Sequence, residues 1–178
     1  MNKLIILQKM SFRVTWSLVG MGLFGNDKCP VLLTRADIVE YLWDAAYTYH
    51  SELSDDAISL ICEKDDPDRF DLLLKELSNN DLSDFSLQFR KWRVFLLKEL
   101  VDNISADPLQ GLLELMEFWI RMGLPKDCPH EFPKSQDALQ NYFSQMTYHY
   151  LLDKNSKWLS EEISDIIQTE ADDSFYKL

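Results

Sequence analysis

Cys128, His130 and Glu131 fall within four positions of one another, in the stretch GLPKDCPHEF at residues 123–132. They are the residue types of a nucleophile, its base and a metal ligand: an imidazole can activate a thiol, and histidine with glutamate can hold a divalent cation. The chain has only three histidines and three cysteines, so this chemistry would be concentrated here if anywhere. The spacing argues against it. In an extended segment, side chains two positions apart point to opposite sides. A nucleophile and its base normally come from separate elements that meet in space. Pro125, Pro129 and Pro133 bound the stretch and impose a stiff connection between helices. The stretch therefore reads as a loop.

The remaining candidates reduce to structural roles in the same way. His50 closes an apolar stripe at the end of a helix, where the dipole favours a cation, and His149 sits in the aromatic run TYHY. Neither belongs to a metal-binding spacing. Glu114 and Glu117 share a stripe with Gln110 and Arg121, so the helical spacing places them on a solvated face. The run EKDDPDRFD gathers Glu63, Asp65, Asp66, Asp68 and Asp71, but it lacks the mid-loop glycine of a calcium loop. No phosphate-cradling glycine loop and no G-x-S-x-G elbow is present. The expectation is no catalytic residue, no metal and no cofactor.

Helices are the elements that must position these residues. Thr15 can cap a helix over WSLVGMGLF, although SFRVTW at 11–16 also alternates like a short strand, which leaves the N-terminal segment open. Thr34 with Asp37 comes close to a capping box before a helix reaching about Tyr49, with Ile38–Leu42–Ala45–Tyr49 and Val39–Trp43–Ala46–His50 as two apolar stripes that make a broad face. Ser54 caps the next helix, with Ile58, Ile61 and Cys62 inward. Asp66–Pro67 and Asp107–Pro108 each place a cap before a proline at the first helical position. Between them, a helix over 83–104 carries Phe85, Phe89, Trp92, Leu96 and Leu100 on one side and Arg90, Lys91, Arg93 and Lys98 on the other. The helix after Asp107 turns Leu109, Leu112, Leu113, Met116, Trp119 and Ile120 inward and stops at Gly123. Ser135 starts a helix with Tyr142, Met146 and Tyr150 inward, DKNSK interrupts it, and Ser160 starts a last helix before a tail that frays from about 169. About seven helices in one all-α domain spanning 1–178 is the predicted architecture.

Charge bounds the function. The net charge is −12, and the first thirty residues run against it with Lys3, Lys9, Arg13 and Lys28 facing Asp27 alone. Such a body repels phosphate backbones and attracts basic proteins. Cys29, Cys62 and Cys128 are odd in number and never form CxxC, which suits reduced thiols in the cytoplasm. The apolar N-terminus is interrupted by Lys9 and Arg13 and no window spans a membrane.

Two segments, LLTRADIVEYLWDAAY (32–47) and DPLQGLLELMEFWIRMGLPKDC (107–128), resemble a bacterial family of small acidic helical proteins of unassigned function, presumed immunity proteins of polymorphic toxin systems. The likeness rests on Leu33, Thr34, Asp37 and Ile38, then on Leu112, Leu113, Glu114, Trp119, Pro125, Lys126 and Asp127. It implies a non-enzymatic inhibitor of a cognate basic toxin such as a nuclease, and it carries over no catalytic residue. The acidic residues expected at the partner surface are Glu63, Asp65, Asp68, Asp71, Glu161, Glu162 and Asp165. The competing expectation is a small-ligand protein or enzyme with a pocket among Trp43, Trp92, Trp119, Tyr142 and Tyr150.

Overall fold

Helix starts follow the caps that the sequence carries. The structure is a computed structural model and describes residues 2–49, 53–135, 139 and 141–175. Asn2 accepts from Leu4 N (3.0 Å) to begin α1 (Lys3–Lys9), a helix the sequence reading did not foresee. Thr15 accepts from Leu18 N (3.2 Å) to begin α2 (Trp16–Phe24), so the helical alternative holds and 11–16 is no strand. Thr34 N donates to Asp37 Oδ2 (2.7 Å) while Asp37 N donates to Thr34 Oγ1 (3.2 Å), a reciprocal box that opens α3 (Arg35–Tyr49). Ser54 caps α4 (Asp55–Cys62), and Asp66 caps α5 (Pro67–Asn80). Then come α6 (Phe85–Asn103), α7 (Pro108–Arg121, capped by Asp107) and α8 (Gln145–Phe175). No strand occurs among the described residues, and no helix among them is long and apolar enough to cross a membrane. The chain is all-α.

The helix expected after Ser135 falls partly outside the described residues; 139 and 141–142 are helical, and Leu139 N donates to Ser135 O (3.1 Å). His50 lies outside them altogether. The chain divides into two compact units, Met1–Trp92 with Glu170–Leu178, and Arg93–Thr169.

In the first unit, α2 lies against α5. Ser78 Oγ donates to Trp16 O (2.7 Å) and Ser17 N to Asp81 Oδ2 (2.8 Å), tying the start of one helix to the end of the other. Gly22 permits close approach: a Cβ there would lie 2.6 Å from Trp92 Cζ2 and 2.7 Å from Leu33 Cδ1. Trp92 is fully buried and its indole N–H donates to Leu18 O (3.0 Å). Beside it, one residue of the basic side expected on α6 turns inward. Lys91 is 0% exposed, and its ammonium donates to Glu170 Oε1 (2.6 Å), Arg13 O (2.8 Å) and Gln88 Oε1 (2.8 Å). Three donors meet three acceptors, which is what a buried ammonium requires.

The second unit is built on α7 and most of α8. Leu112, Tyr142, Tyr148 and Leu151 form a buried cluster. Trp119 stands edge-on to Trp158 at 5.1 Å between ring centroids, and its N–H donates to Asn155 Oδ1 (2.6 Å). The inward stripe of α7 is Leu112, Leu115, Phe118, Trp119 and Met122; Leu109, Leu113 and Ile120, expected inside, face solvent. Arg93 is also buried, against the sequence expectation, with Glu162 Oε1 at 2.8 Å and the Trp158 ring beneath its guanidinium.

α8 corrects two further expectations. DKNSK does not break it, because Asn155 is buried between Trp119 and the carbonyl of Leu151, to which its Nδ2 donates (2.7 Å). Nor does it fray at 169. Glu170 is held by Lys91 and by Arg13 N (3.0 Å), and residues 145–175 contain no glycine or proline to stop the helix.

Candidate functional site

The loop after α7 assembles no dyad. Cys128 Sγ lies 3.8 Å from the backbone oxygen of His130, and burial pushes its thiol up rather than toward thiolate. His130 turns inward instead. It is 5% exposed, shares a 2.6 Å hydrogen bond between Nε2 and the Tyr142 hydroxyl, and keeps Nδ1 buried with no hydrogen-bond partner among the described residues. Desolvation lowers its pKa to about 4, so the ring is neutral at physiological pH, and burial raises the Tyr142 phenol to about 12. Glu131 faces outward, where Lys154 Nζ (2.5 Å) and Tyr150 OH (3.0 Å) hold its carboxyl below the usual range. Three neighbouring residues therefore take three separate structural roles. Among the described residues no group of His, Cys, Asp and Glu is arranged to hold a metal.

Acidity is where the chain has a surface to offer. Residues 36–84, which run from α3 through α5, carry fourteen acidic and three basic residues, −11 of the chain's −12. The sequence reading concentrated on 63–71 and missed this wider run, which a windowed charge count makes plain. Of the residues expected to meet a partner, Asp65 and Asp68 are exposed; Asp65 pairs with Lys64 at 3.5 Å. Glu63 is half-buried and lies 3.8 Å from Arg69. Asp71 is occupied: both oxygens accept from the Arg35 guanidinium (2.8 and 2.7 Å), a bidentate pair that lowers its pKa. On α8, Glu161 is exposed beside Lys157 and Asp165 is exposed. Glu162 is 9% exposed and paired with Arg93, which leaves its carboxylate little surface to offer. Its helical neighbours hide this, since acids in the first turns of a helix look solvated in sequence.

The five aromatics expected to line a pocket are divided between the two units. Trp92 and Tyr142 are buried in different units, and Trp119 is fully packed, whereas Trp43 is 56% and Tyr150 51% exposed. Among the clefts of the first unit, two lie beside Trp16. One of about 380 Å³ is lined by Trp16, Val19, Tyr41, Leu42 and Ala57; another of about 520 Å³ is lined by Trp16, Leu73, Leu77, Asp56 and Glu76. Asp81 touches both, but its oxygens already accept from Ser17 N and from Ser83 N and Oγ. Burial raises its pKa and these hydrogen bonds more than offset that, leaving a fixed carboxylate and not a proton donor.

The chain is thus an acidic all-α protein whose buried ionisable groups serve its own fold and whose excess charge is concentrated in residues 36–84. Residues 4–163 match the family described as an uncharacterized protein conserved in bacteria (DUF2247), and the chain belongs to that family. No curated protein and no solved structure matches it.

Proposed function

We propose that the chain is a non-enzymatic binding protein of the immunity type, which blocks a cognate bacterial toxin in the cytoplasm by covering its basic active surface. The observation that carries this reading is the concentration of −11 in residues 36–84, with Asp65 and Asp68 turned to solvent. A toxin that cleaves nucleic acid is basic around its site, and an acidic surface both steers encounter with it and competes with phosphate. The unreactive environments of Cys128 and His130 agree with a binding role. A second reading, a small ligand held beside Trp16 and Tyr41, is favoured by the cleft of about 380 Å³.

The test is retention of a partner. The tagged chain is incubated with extract of its bacterial host at low salt, washed, and eluted with high salt; each retained protein is then assayed for toxicity and nuclease activity. A stoichiometric basic protein whose activity the chain abolishes supports inhibition. A chain that retains no such protein, yet gains thermal stability from a small metabolite, is the second reading's result.

A further inference from the structure

One face of α3 is left unexplained by the fold. Ile38 and Leu42 point into the core, while Glu40, Trp43, Asp44 and Tyr47, at i, i+3, i+4 and i+7, share the opposite side. Trp43 is 56% exposed and Tyr47 85% exposed. Tryptophan and tyrosine combine a large apolar area with a polar tip and are among the side chains most enriched at the energetic centres of interfaces. Here each has a carboxylate next to it on the same helix, and Asn2 Nδ2 (3.1 Å) steadies that of Glu40.

The charge selects the occupant. Nucleic acid and anionic lipid are repelled by the −11 of residues 36–84. A second copy related by a two-fold axis would set this acidic run against itself. A basic protein fits, and arginine fits better than lysine. The guanidinium is planar and weakly hydrated, stacks on indole and phenol rings, and offers a fork of N–H donors to a carboxylate; an ammonium is compact and strongly hydrated. We propose that the exposed face of α3 docks arginine side chains of a basic protein partner, which stack on Trp43 and Tyr47 and donate to Glu40 and Asp44. The proposal rests on the reading of the chain as an acidic binding protein and names where on it the partner is held.

Two peptides that differ only in having arginine or lysine at alternate positions separate the ideas. Each is titrated calorimetrically into the full-length chain at low salt, into the Trp43→Ala/Tyr47→Ala variant, and into Asp65→Asn/Asp68→Asn. Both substituted pairs are exposed, and an unchanged circular dichroism spectrum and melting temperature confirm the fold. The arginine peptide is expected to bind the unaltered chain about fivefold more tightly than the lysine peptide. That preference disappears in the aromatic variant and persists in the Asp65/Asp68 variant, where both affinities fall together. Equal affinities for the two peptides, or a preference that survives loss of both aromatics, overturns the α3 assignment and leaves the acidic binding reading standing. Binding of neither peptide to the unaltered chain sinks both.

Discussion

Glu170→Gln changes one charge and almost no volume, and it isolates what the buried lysine requires. Lys91 is 0% exposed and pairs with Glu170, 2.6 Å away, while Asp81 adds a weaker favourable charge. At an effective dielectric of 20 the gross attraction at that separation is about 6 kcal/mol, against a desolvation cost of several kcal/mol for each ion. The pair is therefore close to balance, but half of it is not. Glutamine preserves a hydrogen-bond acceptor while leaving the ammonium uncompensated, and the expected loss is about 3–5 kcal/mol at pH 7. Lys91→Met with Glu170→Leu removes both desolvation costs and should recover most of that loss. Urea unfolding of the three variants beside the parent measures each difference. pH supplies an independent check. Burial lowers the Lys91 pKa and Glu170 counteracts it, so removing the carboxylate lowers it further. Between that depressed value and the ordinary lysine value, the unfolded chain binds more protons than the folded one, and stability rises with pH. The Glu170→Gln variant should therefore gain stability relative to the parent as pH rises from 7 toward 10. A loss below about 0.5 kcal/mol, well under the range for breaking a buried pair, would refute the reasoning; so would a deficit independent of pH.

The neutral buried His130 makes a different pH prediction. Its folded pKa of about 4 lies below the ordinary 6.5, so its contribution is fully present above 6.5 and is lost as pH falls through that window. Relative to His130→Gln, which does not titrate, the parent should lose about 3 kcal/mol between pH 7 and pH 4 in denaturant titrations. Asn155→Leu strands the buried Trp119 N–H and should cost about 1–3 kcal/mol, with part of the loss recovered by adding Trp119→Phe. Gly22→Ala gains at most about 1 kcal/mol of helix propensity but overpacks against the fully buried Trp92, at about 1–3 kcal/mol, so a net fall in melting temperature is expected.

The helix starts were legible because a cap is a local device: Thr15, Thr34, Ser54, Asp66 and Asp107 each act within three residues of themselves. The burial of Lys91 and Arg93 was not, because their partners Glu170 and Glu162 are 79 and 69 positions away. Seen alone, a helix with basic residues on one side reads as solvated on that side. The inward face of α7 was misplaced for another reason. Leu109, Leu112, Leu113, Leu115, Met116, Phe118, Trp119 and Ile120 are apolar nearly all round, so more than one stripe satisfies the helical period and only the neighbouring elements choose among them. DKNSK looked like a break because five polar residues usually mean solvent; Asn155 is polar because it meets Trp119. For the candidate site, the loop identity of 123–132 followed from its prolines. The surface role of acids did not follow from their number: Asp71 and Glu162 are consumed by Arg35 and Arg93.

The most direct test of the binding account is a titration of the purified chain into the basic protein it retains from its host, followed through that protein's toxic or nucleolytic activity. The account predicts complete loss of activity at one equivalent, with association slowed by salt and by Asp65→Lys/Asp68→Lys while unfolding stability is unchanged. A partner that stays active when saturated, or one that associates equally fast with the charge-reversed chain, would contradict it.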